Sequence, residues 1–476
     1  MPPKTVSILT VFCLLPLLTM GRLGVYLLLV WGVSTAAQAT EAGPFLVKPY
    51  LQLGDGVDAN ALTVLWQADS SAGEWKVEWK SDSTKPVAKT VALGMKRHYV
   101  YRAVLTGLRP GEAFAYRLLL DGKKVFEAQA HARVSKDTPY KFAVFADCGA
   151  DTSGQKQVAI ETYKFKPDFV FIPGDIVYWS GLASEYHSKF FPIYNADEVD
   201  KKSGAPLMRS TVFTAAVGNH DVAGRDLTSR ADGLAYFYYW SLPLNGSPNF
   251  TRPGFKASSD QTQAFNEASG GAFPRMSNYS FDYGNSHWLI LDSNPDIDWS
   301  QPELAQWVEG ELGSPAAKNA KWRFVGFHHP GFNSSHAHSG DQQMRVLSKA
   351  FEDAQVDVVF SGHVHNYQRT FPLKFKLESY DASKSHKAAG EWTLDQQFDG
   401  KSKTKPAGVI YVISGAGGAM LYDKGQGADR KSWQAFTAQF VSDVHSFTAV
   451  EVNGGKAFFQ QIDEEGRVVD SFTVTK

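Results

Sequence analysis

The chain has 476 residues, 43% of them hydrophobic and 20% charged, with 48 basic residues against 49 acidic ones. That length allows two or three domains and a core able to stabilise them without staples. The near balance of charge and the lack of any basic run exclude a nucleic-acid binder or a membrane-surface patch built on positive charge.

Residues 1–39 read as a targeting segment. Two apolar runs, 6–18 and 23–33, are separated by Met20-Gly21-Arg22, and the second leads into Ala37-Gln38-Ala39, a small-residue cleavage signature. The stretch from Met20 to Ala39 is a complete signal peptide by itself, so Met20 is the expected start and cleavage near Ala39 the expected route to an exported chain. Neither run reaches the roughly 20 residues of a spanning helix. Cleavage removes Cys13 and leaves Cys148 as the one thiol, so no internal disulfide is expected.

From residue 45 to 134 the pattern is that of short strands with regular turns. Ala61–Trp66 and Trp75–Trp79 alternate, and further runs at 99–105 and 114–117 flank the turn Leu108-Arg109-Pro110-Gly111. This predicts a β-sandwich of about 90 residues, and it holds no paired catalytic groups. After Pro139 the pattern changes. Strands are predicted at 141–146, 168–172, 212–216, 288–291, 323–327, 356–360 and 409–414, and helices at 155–165, 302–312 and 342–354. Strands alternating with helices mean a layered α/β domain. Residues 223–283 interrupt the rhythm as a long insertion, which, with its run Tyr236-Phe237-Tyr238-Tyr239-Trp240, reads as a packed surface excursion rather than a substrate-contact loop. Residues 374–405 are polar and read as a loop, and 446–476 as a closing β layer.

Polar residues suited to metals follow five of the apolar strands. Asp147 follows the first, Asp175 and Tyr178 the second, Asn219 and His220 the third, His328 and His329 the fourth, and His363 and His365 the fifth. Any one has an ordinary explanation, since a strand-end Asp often caps a helix and Asn-His makes a turn. Five together, each near a glycine or turn residue, mark a shared site beyond the carboxyl ends of the strands.

Asp147-Cys148-Gly149, Gly174-Asp175-Ile176-Val177-Tyr178, Gly218-Asn219-His220-Asp221, Val325-Gly326-Phe327-His328 and Gly362-His363-Val364-His365 resemble, in order and spacing, the five-block signature of the purple acid phosphatases. These belong to the calcineurin-like metallophosphoesterase superfamily. The resemblance implies a fibronectin-III-like β-sandwich (residues 40–137) followed by a four-layer α/β/β/α metallophosphoesterase domain (residues 138–476, with a C-terminal β layer from about 406). It implies two metal ions: Asp147, Tyr178 and His365 on the first, Asn219, His328 and His363 on the second, and Asp175 bridging. Gly149 stands where most of the superfamily has a histidine, and Tyr178 is the replacement ligand. A phenolate, with an ordinary pKa of about 10, suits Fe(III); the second ion would be divalent Zn, Fe or Mn.

The activity implied is hydrolysis of a phosphomonoester by metal-activated water, with a diesterase or nucleotidase, or a binder with a relict metal site, as alternatives. His220 is placed to act on the phosphoryl oxygens or the leaving group. The family's histidines about nine residues past the His328 position fall here at His336 and His338. His336 joins His220 as a catalytic candidate, and Asn219, His220, His336 and His338 are the substrate contacts. The implied partner is the phosphate ester alone, with no nucleic acid and no membrane after cleavage. His329 is expected to point away from the metals, Cys148 to pack, and Asp292 to be a structural acceptor. Asn366 and Gln368, where relatives carry Ala and Glu, imply altered support for the ligands. Asn249, Asn278 and Asn333 head glycosylation sequons.

Overall fold

In the computed structural model the described residues are 43–476, save 57, 70 and 383–385. The targeting segment, the Met20 start and the cleavage site therefore lie outside the described residues. Residues 43–476 form one compact unit.

Two large sheets carry continuously buried central strands. In the strands Ser286–Ile290, Trp322–Gly326 and Val358–Ser361, the side chains Trp288, Phe324 and Phe360 point to one core. Their neighbours Leu289, Val325 and Val359 point to another. Alternate residues of a strand face opposite sides of its sheet, so each strand is greasy throughout and buried on both faces. These three and Ile410–Ser414 run parallel within a seven-stranded sheet. A second, ten-stranded sheet holds Tyr140–Val144, Phe169–Pro173 and Val212–Ala216, also mutually parallel.

The two sheets pack through aromatic rings. Phe142 meets Trp288 edge-on at 5.0 Å and Phe360 at 5.9 Å, and Phe171 lies 5.7 Å from Trp288. Gly326 permits this approach, because a Cβ there would sit 2.3 Å from Phe171 Cζ. Helix Ser153–Phe165 covers the outer face of the larger sheet with Val158, Ala159 and Ile160. Pro302–Leu312 covers the outer face of the smaller one with Leu304, Val308 and Leu312. The result is the four-layer α/β/β/α arrangement.

At the N-terminal end a four-stranded sheet, Asp82–Thr84, Trp75–Trp79, Ala113–Leu120 and Lys123–His131, faces the end of the ten-stranded one. Trp66 stacks on Tyr101 at 5.2 Å and meets Trp75 at 5.2 Å in that sandwich core. The sandwich is not a separate bead. Its strand Val47–Gln52 pairs in parallel with Val212–Ala216, so one backbone ladder runs from the N-terminal strands into the central sheet.

Three local expectations change. Residues 374–405 contain a hairpin, Leu373–Tyr380 with Ala388–Leu394, rather than a plain loop. Leu373 and Phe375 bury one face while the intervening lysines mask the signal. The helix predicted at 342–354 is a 3₁₀ segment, Gln343–Leu347, followed by a short α-helix, Ser348–Asp353. Tyr236 to Trp240 are all buried, with the Tyr236 hydroxyl donating to Ala215 O at 3.2 Å, so this run is core and not surface. The closing strands Ser446–Asn453, Lys456–Asp463 and Val468–Thr475 extend the larger sheet beside Tyr140–Val144.

Candidate metal centre

Because the central strands of each sheet are parallel, their carboxyl ends share one edge, and the predicted ligands gather there. Asp147, Asp175 and His363 take φ of 57°, 49° and 68°. Such left-handed turns in non-glycine residues cost on the order of 1–3 kcal/mol each and concentrate at functional sites. Gly174 makes room between them: a Cβ there would lie 2.6 Å from His328 Nδ1 and 2.8 Å from Gly218 Cα.

The Tyr178 hydroxyl is 2.9 Å from Asp147 Oδ1, 3.3 Å from Asp175 Oδ2 and 2.9 Å from His365 Nε2. On the other side of Asp175, the same Oδ2 is 3.2 Å from His328 Nε2. That nitrogen is 3.1 Å from Asn219 Oδ1 and 3.3 Å from His363 Nδ1. All seven predicted ligands therefore meet in one cluster, with Asp175 between two subsets.

The donor chemistry fits cations. His328 Nδ1 lies 2.8 Å from Pro173 O and His365 Nδ1 lies 2.7 Å from Met420 O. A carbonyl only accepts, so both Nδ1 atoms carry a proton and both Nε2 atoms face the cluster. Two carboxylates, 0% and 1% exposed, share that space. Burial, then Asp147 and Asp175, push the Tyr178 phenol well above its ordinary value. Burial opposes charge on His328, but the Asp175 carboxylate outweighs it and holds the imidazole at about 9. The field is that of a site needing positive charge. Among the described residues, His and Asp atoms within 4.8 Å of one another form three groups: Asp147–Asp175–His328, His328–His329–His363 and His338–Asp341–His363.

His220 donates its backbone N–H to Asp175 Oδ1 at 2.8 Å, and its Nδ1 lies 2.7 Å from Trp179 O. This orients Nε2 toward the centre, 3.9 Å from Asp175 Oδ2. Of the loop histidines, His338 is the one brought to the site: its ring is 4.0 Å from His363 and its Nδ1 is 3.2 Å from Asp341 Oδ2. His336 is exposed, with its backbone N–H at Gln426 and Asp423 nearby. His329 does not point away as expected. It is buried 4.2 Å from the His363 ring. The Ser293 hydroxyl accepts from both the His328 and His329 amides, so its own proton goes to His329 Nδ1 at 3.0 Å.

Asp341 and Tyr422 were not visible from sequence. Asp341 Oδ2 sits 3.1 Å from His363 Nε2, leaving Nδ1 of that ring for the cluster. Tyr422 stacks on His365 at 3.9 Å with the rings 8° apart. Both come from loops without periodicity, and the only cue was the spacing of Asp341 three residues after His338. Replacing Asp341 by Asn is expected to weaken metal retention about 10–100-fold, read as metal content after dialysis against a chelator series. Retention equal to the parent protein would contradict the supporting role.

The remaining residues are structural. Cys148 is buried with its thiol 3.6 Å from Ile176 O. Asp292 accepts from Arg252 Nε at 3.1 Å and from Asn294 Nδ2 at 2.7 Å. Gln368 Nε2 donates to Asn366 Oδ1 and to Asn333 Oδ1, and its Oε1 accepts from Ser334 N, so this pair ties down the loop carrying His338. Of the three sequons, Asn278 and Asn333 are buried and hydrogen-bonded, which leaves Asn249 accessible.

Residues 140–367 match the calcineurin-like phosphoesterase family. Probable purple acid phosphatase 20 of Arabidopsis thaliana is 23% identical over 325 residues, covering 66% of this chain and 67% of that protein. Purple acid phosphatase 22 of the same species is 25% identical over 233 residues, covering 48% of this chain but only 45% of that protein. Two further relatives are named probable inactive purple acid phosphatases. The solved structure of purple acid phosphatase PPD1 from yellow lupin seeds superimposes with a TM-score of 0.63 at 19% identity, over 91% of this chain and 75% of that one. The fold and these relatives support a hydrolase of the phosphatase type. Within that class the chain carries a calcineurin-like phosphoesterase domain and is a relative of the purple acid phosphatases.

Proposed function

We propose that this protein is an exported, dinuclear metal-dependent phosphatase acting on phosphomonoesters. The observation that carries the reading is the Asp175 carboxylate standing between two donor sets, 3.3 Å from the Tyr178 hydroxyl and 3.2 Å from His328 Nε2. Asp147, Tyr178 and His365 would hold one ion, Fe(III). Asn219, His328 and His363 would hold a divalent Zn, Fe or Mn, with Asp175 shared. When bound, such ions supply Lewis-acid charge to the phosphoryl oxygens and acidify water.

The chain's own residues do the rest. Asn219 and the buried imidazoles orient the phosphate against the strand ends. His220, fixed through its Nδ1–H to Trp179 O, presents Nε2 to the ester and, protonated, donates to the departing oxygen. His338, braced by Asp341, is the loop histidine assigned to substrate, in place of His336. Export rests on the Ala37-Gln38-Ala39 signature; among the described residues no helix is long and apolar enough to cross a membrane. The sandwich at 40–137 and the catalytic region at 138–476 are assigned as separate domains of origin joined by a shared sheet.

Metal analysis with a visible spectrum tests the assignment. Two ions per chain, one of them iron, and a purple or pink band lost in Tyr178→Phe are expected. A colourless, iron-free, fully active protein would refute the tyrosinate assignment and leave the phosphatase reading intact. Faster cleavage of 4-nitrophenyl phosphate than of its bis ester is expected, and the reverse order would make it a diesterase. A metal-loaded protein inert on every ester would make it a binder.

A further inference from the structure

The rim of the centre carries a side chain that the hydrolytic chemistry does not use. Trp179 directly follows Tyr178 and is 65% exposed, the only exposed tryptophan among the described residues. Its indole packs 5.3 Å from the Tyr178 ring and 5.7 Å from the His220 ring. Most of its surface is left to water, where a large aromatic group gains nothing from folding.

Its position is nevertheless held from beneath. The buried Glu185 carboxylate accepts from the backbone N–H groups of Trp179, Ser180 and Leu182. Lys189 reaches both Glu185, at 3.5 Å, and the Tyr178 carbonyl. Arg230 fastens the Ser180 hydroxyl. A segment this heavily anchored presents its indole as a fixed surface beside the histidine assigned to the leaving group. On the His365 side the rim is also apolar: Met420, whose carbonyl orients His365, is 71% exposed.

We propose that Trp179 is a specificity-determining platform, and that the alcohol released by this enzyme carries an aromatic ring that stacks on the indole. The inference rests on the phosphatase reading and adds the class of ester. An exposed π face one ring's distance from His220 rewards a flat leaving group and does nothing for a short polyol.

The test compares the metal-loaded parent protein, Trp179→Ala and Trp179→Phe on 1-naphthyl phosphate, adenosine monophosphate and glycerol 2-phosphate. Binding of 1-naphthylphosphonate, which is not hydrolysed, is measured by calorimetry alongside. In Trp179→Ala, kcat/KM for the naphthyl ester or the nucleotide should fall about tenfold, the scale of one aromatic stack, with glycerol 2-phosphate changed less than about twofold. Phosphonate binding should weaken in parallel, and Trp179→Phe should recover most of both. A drop confined to the naphthyl ester would mean a directly esterified ring, and one confined to the nucleotide a ring reached through a sugar. Equal changes on all three esters, or none, would overturn the inference while the phosphatase reading stands. A parent protein that hydrolyses no ester yet binds the phosphonate in a Trp179-dependent way would overturn the phosphatase reading and keep the platform.

Discussion

Replacing Asp175 by Asn is expected to lower kcat by more than about a hundredfold, beyond the 10–100-fold that loss of a ligand's supporting partner brings, without unfolding the protein. The amide has the shape of the carboxylate. Its oxygen can still accept the His220 N–H now held at 2.8 Å by Oδ1. What it cannot supply is the second anionic oxygen, the atom 3.3 Å from the Tyr178 hydroxyl and 3.2 Å from His328 Nε2. An NH₂ group there turns two protons toward the space the cations need. Metal content should fall below two ions per chain while the far-ultraviolet circular dichroism stays that of the parent. Two retained ions with undiminished turnover would show that Asp175 is not shared between them.

The second large effect concerns stability. Arg252 and Asp292 form a buried pair, their side chains 1% and 0% exposed, with Nε to Oδ2 at 3.1 Å. Burial pushes the Asp292 carboxyl up even with Arg252 beside it, so the carboxylate depends on its partner. Arg252→Met should cost about 3–5 kcal/mol, because it strands a charge in the interior. Arg252→Met combined with Asp292→Asn should recover much of that, since the pair's removal costs less than its breaking. Urea titrations of the three proteins measure both quantities. A single variant within about 1 kcal/mol of the parent would mean that Asp296, 3.5 Å from Arg252 Nη2, belongs to a looser network that absorbs the change. Asp292 also accepts from Asn294, whose amide reaches Gly218 O at 3.4 Å. Loosening this pair should therefore reach the turn that delivers Asn219.

The two variants probe opposite kinds of information. Asp175 was legible in the chain because its place is local. A fully buried strand of β-branched and aromatic residues ends at Pro173, a glycine of positive φ follows, and the ligand comes next. The same grammar of apolar strand, tight turn and polar ligand exposed Asp147, Asn219, His328 and His363. It held because parallel strands put every carboxyl end at one edge, whatever their order in the sheet. The insertion's aromatic run looks like a surface excursion in sequence and is core in the fold, because nothing local says that Tyr239 lies 5.5 Å from His187 of another segment.

What the sequence alone pointed to, then, was the central parallel strands and the seven polar residues clustered after their carboxyl ends, though not the hairpin of Leu373–Tyr380 and Ala388–Leu394. Only the tertiary structure decided that His338 and not His336 faces the centre and that Asp341 braces both His338 and His363. It also decided that His329 packs against the ligands and that the sandwich shares a sheet with the catalytic region. These features depend on long connections closing over the strand ends. Where such a loop comes to rest is decided by its partners, among them Gln368 at Ser334 and Asp423 at the Ala337 amide, dozens of residues away and outside any periodicity a strand or helix imposes.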